Sequence, residues 1–141
     1  MIRQLAHVCL YTDRLEEMRR FYGDTLGLRF AFPLNDGMGK TFGIYFDAGN
    51  SSFIEIFDRK GAQAMWGGSD ARIERGTAFR HMCFEVTGLD ALRTALRAKG
   101  VDVSEPKVGM DLSRQAWAKD PDGNPIELME YTASSAQLRR A

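Results

Sequence analysis

The chain has 141 residues, 44% of them hydrophobic and 27% charged, with 19 basic and 19 acidic side chains that cancel. This is one domain's worth of ordinary globular protein, long enough to bury a sizeable core. The balance builds no positive field for nucleic acid or an anionic membrane, and no apolar run approaches a membrane span. The opening Met1-Ile2-Arg3-Gln4 shows no signal-peptide pattern, so the chain is expected in the cytoplasm, with Cys9 and Cys83 as reduced thiols.

The first element predicted is the strand Ala6-His7-Val8-Cys9-Leu10-Tyr11, with His7, Cys9 and Tyr11 on one face. Asp13, with Glu16 three residues later, reads as a helix N-cap. Leu15, Met18, Tyr22 and Leu26 then recur at helical spacing, and Gly27 ends the helix. Leu28-Arg29-Phe30 is extended. Phe42-Gly43-Ile44-Tyr45-Phe46-Asp47 and Phe53-Ile54-Glu55-Ile56-Phe57 read as strands, joined by a turn at 47–50. Residues 58–78 are rich in glycine, charge and small side chains and read as a linker, with Met65-Trp66 packing on the body or on a partner.

The pattern then starts again. Residues 79–86 read as a strand that places His81, Cys83 and Glu85 on one face, and His81 lies 74 positions after His7. Thr87 is the expected N-cap, Leu89, Leu92 and Leu96 match Leu15, Met18 and Tyr22 at the same 74-residue offset, and Gly100 ends the helix. Val101-Asp102-Val103 is extended. Strands over 115–120 and 126–131 flank the turn Asp120-Pro121-Asp122-Gly123-Asn124. Residues 132–141 read as a loose polar tail. The expected fold is α+β: module one at about 5–58, a linker at 59–78, and module two at about 79–131, each running strand, helix, strand, strand, strand.

The chemistry sits at matched places. The chain's two histidines, His7 and His81, fall at the repeated strand position, and Glu55 and Glu127 answer one another 72 positions apart. A lone histidine or glutamate in a strand is ordinarily structural. A carboxylate flanked by Ile54 and Ile56 is costly to bury unless paired or bound to a cation, and two imidazoles with two carboxylates suit a divalent first-row metal: Ni, Zn, Co, Mn or Fe. Cys9 and Cys83 match as well and read as buried small hydrophobes rather than soft ligands. Tyr11 and Glu85 share the histidine faces and are candidate contacts to substrate or to the ligands.

The span from about residue 5 to residue 131 resembles the vicinal oxygen chelate superfamily, which includes glyoxalase I, bleomycin-resistance proteins and extradiol dioxygenases. The matching pieces are Ala6-His7-Val8, Arg20-Phe21-Tyr22 leading to Leu26-Gly27-Leu28, Phe53-Ile54-Glu55-Ile56, residues 76–86, and above all Asp120-Pro121-Asp122-Gly123-Asn124-Pro125-Ile126-Glu127-Leu128. The resemblance implies two βαβββ modules forming a curved, barrel-like sheet around a metal, with His7, Glu55, His81 and Glu127 as its ligands, and a tendency to homodimerise.

Departures narrow the expectation. Glyoxalase I enzymes similar to this chain carry an arginine four residues after the first ligand histidine, where Tyr11 stands here, which argues against the glutathione thioester reaction. Extradiol dioxygenases keep a third histidine; this chain has two. The expected function is metal-dependent proton transfer on a small substrate bound through two vicinal oxygens, of isomerase, lyase or epimerase type, with Glu127 as principal base and Glu55 as ligand and partner base. The alternatives are a non-catalytic drug-binding protein of the bleomycin-resistance kind and a ring-cleaving dioxygenase. Local stiffness alone points the other way on the base, because the Gly49-Asn50-Ser51-Ser52 turn before Glu55 reads as the looser one.

Overall fold

Side-chain alternation and helix period together build each half of the chain around a four-stranded mixed sheet. The computed structural model describes residues 3–68 and 79–138 and divides into two units, Met1–Arg72 and Ile73–Ala141. In the first, strand β1 (His7–Thr12) leads to helix α1 (Leu15–Arg20), and strands β2 (Arg29–Asn35), β3 (Thr41–Asp47) and β4 (Phe53–Asp58) follow. In the second, β5 (Met82–Glu85), helix α3 (Leu89–Ala98), β6 (Lys107–Val108), β7 (Arg114–Lys119) and β8 (Pro125–Glu130) repeat the order. The sheets run β1-β4-β3-β2 and β5-β8-β7-β6, with β1–β4 and β5–β8 parallel and the other pairs antiparallel. The chain is thus an α+β protein of two βαβββ modules. No helix among the described residues is long and apolar enough to cross a membrane.

In the first unit one sheet face buries Ile44, Phe46, Ile54 and Ile56, and α1 contributes Met18 to the same core. Past Arg20 the helix widens through Phe21–Thr25, where the Leu26 N–H reaches back five residues to the Phe21 carbonyl at 2.8 Å. This turns Phe21 and Tyr22 inward, and Tyr22 meets Phe46 at 6.2 Å between ring centres. In the second unit Leu89 and Leu96 of α3 are buried together with Ala116, Ala118, Ile126 and Leu128. The central strands β4 and β8 bury side chains on both faces, so each sheet has a second covered face, the one that carries the glutamates.

Neither expected N-cap forms. Helix α1 starts after Arg14 without a side-chain cap: the Thr12 hydroxyl accepts from the Arg14 N–H at 3.0 Å just ahead of it, Asp13 faces Arg59 at 3.1 Å and Glu16 pairs with Arg19. Thr87 is displaced by Gly88, which takes a left-handed φ of 67°, and the cap comes from β8: the Glu130 carboxylate accepts from the Gly88 N–H at 2.6 Å and the Leu89 N–H at 3.2 Å. Side chains from distant strands carry no local signal, which is why the cap pattern misled.

Three further expectations change. The linker begins as a helix, α2 (Arg59–Trp66), capped by Asp58 through the Gly61 N–H at 2.7 Å, with Trp66 edge-on to Phe57 at 5.0 Å; residues 69–78 lie outside the described residues. Val101-Asp102-Val103 pairs with no strand: the second module's edge strand is the two-residue β6, and Val103 serves as a core side chain. The tail is fastened up to Leu138, with Ser135 buried and its hydroxyl 2.9 Å from that of Ser113, and the Ala136 N–H donating to the Asp111 carbonyl at 2.8 Å.

Candidate metal half-sites

Each unit places one histidine and one glutamate side by side. In the first, Cys9 on β1 lies opposite Glu55 on β4, and Tyr45 on β3 lies opposite Glu55 from the other side. His7 is two residues before Cys9 on the same face, and its Nε2 stands 3.6 Å from Glu55 Oε2. In the second, Cys83 and Trp117 flank Glu127 in the same register, and His81 Nε2 stands 3.0 Å from Glu127 Oε2. Both carboxylates are buried, Glu55 at 7% and Glu127 at 4% exposure, whereas the histidine side chains keep 48% and 36% of their surface. A carboxylate buried this far is costly unless it is paired, and in each unit the histidine is the partner beside it.

The strand predicted over 79–86 starts later than expected, at Met82, leaving His81 one residue outside it. The reason lies on the neighbouring strand. In the first unit the Phe53 N–H donates to the Ala6 carbonyl at 2.9 Å, which carries the ladder past His7. Pro125 occupies the matching place in the second unit and has no N–H to give. His81 is therefore held by its glutamate and by the Trp117 ring, which meets it edge-on at 4.9 Å.

The cysteines are corrected from the expectation of burial: both are exposed as residues. Their thiols nonetheless face the sheets. Burial of the Cys9 sulfur, with a hydrogen bond to Glu55 and that carboxylate's charge, pushes its pKa up to about 12. Burial, then the charge and hydrogen bond of Glu127, does the same for Cys83. Both are neutral thiols at physiological pH. Among the described residues, no group of three or more His, Cys, Asp and Glu side chains is gathered at metal-holding geometry.

Tyr11 is 41% exposed and rests edge-on against Phe57 at 6.2 Å. Glu85 is exposed at the end of β5. Two neighbours of the glutamates escape a search for ligand residue types, because an aromatic in a strand reads as packing. They are Tyr45, whose hydroxyl donates to Glu55 Oε1, and Trp117. Their 72-residue offset, equal to that of the glutamates, was the available signal. The turn before Glu55 is not loose either: the Ser52 hydroxyl donates to the Leu5 carbonyl at 2.6 Å, and the Gln4 amide to the Asn50 carbonyl at 2.6 Å. The turn before Glu127 is closed by Asp120, which accepts from the Asn124 N–H and side-chain amide, both at 2.8 Å.

Residues 4–128 match the family model described as "Glyoxalase/Bleomycin resistance protein/Dioxygenase superfamily". A lactoylglutathione lyase from Haemophilus influenzae is 29% identical over 142 aligned positions, covering 96% of this chain and 98% of the relative. Among solved structures, a lactoylglutathione lyase from Agrobacterium tumefaciens is similar with a TM-score of 0.69 and 22% identity, covering 92% of this chain and 95% of that one. TnmS3, an antibiotic binding protein from Streptomyces sp. CB03234, is similar with a TM-score of 0.69 and 24% identity, covering 93% and 98%. With a family model spanning nearly its whole length and this doubled strand order, the chain belongs to the glyoxalase/bleomycin resistance protein/dioxygenase superfamily.

Proposed function

We propose that the chain is a metal-dependent enzyme of the glyoxalase-like class, which binds a small substrate through two vicinal oxygens and moves a proton at the adjacent carbon. The observation that carries this reading is the doubled half-site: a buried glutamate beside an open histidine, at matched positions in both units. The four donors, His7, Glu55, His81 and Glu127, are two imidazoles and two carboxylates, the chemistry that holds divalent Ni, Zn, Co, Mn or Fe. When bound, such a cation acts as a Lewis acid toward the two substrate oxygens and makes the neighbouring C–H acidic. Glu127 then takes that proton and returns it at a second position; Glu55 holds its place as a ligand.

A second reading, lactoylglutathione lyase itself, is favoured by the Haemophilus influenzae relative. Against it stands Tyr11, which occupies the place of the arginine that similar glyoxalase I enzymes use for glutathione. On the same sheet face the cation contributed by the strands is Arg29, already paired with Asp47. We further propose that the protein works as a homodimer, supported by the exposed apolar end of α2, where Met65 keeps 49% and Trp66 57% of its surface.

The test is exchange of substrate C–H with deuterated solvent, followed by NMR over a panel of small α-hydroxy and α-oxo carbonyl compounds with Zn²⁺- or Ni²⁺-loaded protein. Exchange on at least one compound, abolished by chelator, is the expected result. No exchange on any compound, with tight binding of a bleomycin-type drug instead, would replace the enzyme by a sequestering protein.

A further inference from the structure

The two half-sites are built on the same register and yet differ in one donor. Tyr45 stands opposite Glu55 and Trp117 stands opposite Glu127. Directly opposed residues of an antiparallel pair share a face and touch. The Tyr45 hydroxyl donates to Glu55 Oε1, while His7 addresses the other oxygen, Oε2. The tyrosine ring is itself fixed, stacked on Phe32 at 4.4 Å with an interplanar angle of 20° and edge-on to Phe53 at 6.2 Å. In the second unit the indole packs against His81 instead, and the Glu127 carboxylate has His81 and the Cys83 thiol as its polar neighbours, with no hydroxyl among the described residues.

We propose that Tyr45 is a positioning residue that ties down one oxygen of Glu55, so that this glutamate offers the metal a single fixed oxygen, while Glu127 is positioned by His81 and the Cys83 thiol alone. The proposal rests on the metal reading above and extends it, because it makes two carboxylates at matched positions unequal. A phenol held between two aromatic rings cannot follow a moving carboxylate. Glu55 therefore leaves its hydrogen bond only at the cost of a buried, unpartnered oxygen. Among the described residues Glu127 has no such hydroxyl. The same device explains why one module keeps a tyrosine and the other a tryptophan at the same register.

The experiment uses the full chain and Zn²⁺, with affinity measured by chelator competition and ligand geometry by the visible spectrum of the Co²⁺-substituted protein. Tyr45→Phe keeps the ring and its stacking and removes only the hydroxyl. It is expected to weaken Zn²⁺ binding about 10- to 100-fold, the usual effect of losing a group that orients a ligand, and to shift the Co²⁺ bands. In a Glu55→Gln background the further change Tyr45→Phe should alter affinity less than twofold. Wild-type affinity and spectrum in Tyr45→Phe would overturn the assignment, and so would an equal loss in both backgrounds, which marks a general packing role. A wild type that takes up no Zn²⁺ or Co²⁺ would overturn the metal reading and this proposal with it.

Discussion

At the scale of single residues, the proposed function divides the work between the two glutamates. Glu55 is bonded by Tyr45 and approached by His7, so replacing it disturbs the ligand set first. Glu127→Gln is expected to retain metal and to lose roughly 10²–10⁴-fold in solvent exchange of the substrate C–H, the range for removing a general base. Glu55→Gln should lose metal affinity instead. The assignment is reversed if Glu127→Gln exchanges normally while Glu55→Gln binds metal and does not exchange. Tyr11 carries a second expectation at this scale. With an exposed phenol where an arginine is needed, kcat/KM on the methylglyoxal–glutathione hemithioacetal should fall below the usual enzyme range of about 10⁴–10⁸ M⁻¹s⁻¹; a value inside it would restore the lactoylglutathione lyase reading.

At the scale of elements, helix α3 depends on a strand for its start. Glu130 accepts from two N–H groups of its first turn and pairs with Arg114 at 2.6 Å. Hydrogen bonds from the Leu89 and Gly88 N–H groups and the Arg114 charge hold its carboxyl below the usual value of 4.5. A lowered folded pKa contributes stability that is present above the unfolded value and is lost as pH falls through the folded one. Glu130→Ala should therefore cost about 1 kcal/mol at pH 7, the worth of a cap, or roughly 3–5 °C in Tm. The gap to wild type should narrow in urea melts below about pH 4. A gap that is the same at both pH values would take the charge out of the explanation.

Elements also show what sequence patterning can carry. Period, alternation and turn chemistry found both helices of the repeat and the strands around Glu55 and Glu127, because these depend on neighbours within a few residues. The cap from Glu130, the shortened β5 opposite Pro125 and the anchored tail were missed because each is decided by a residue on another strand or loop. Gly43 belongs here as well. A Cβ on it would come 2.3 Å from the Phe57 ring, its cross-strand partner, so the glycine is there for an aromatic that pattern alone does not pair with it. The His and Glu positions were readable because the repeat doubled them. Tyr45 was not, since its role appears only once β3 is set beside β4.

At the scale of the whole molecule, the sequence is two copies of one design that have diverged in their edges and kept their centres. The proposed homodimer should scatter light as twice 15.9 kDa at micromolar concentration. The mass of a single chain under those conditions would leave the apolar end of α2 without its proposed partner.

The central claim of the proposed function is that His7, Glu55, His81 and Glu127 are metal ligands, and elemental analysis of three proteins tests it most directly. Wild type, His7→Ala and His81→Ala are purified without chelator, checked for wild-type circular dichroism, loaded with Zn²⁺ and desalted. The account expects about one ion per chain in wild type and a loss of most of it in each variant, since either change removes one of four donors. Wild-type content in His7→Ala or in His81→Ala would contradict the assignment of that histidine as a ligand.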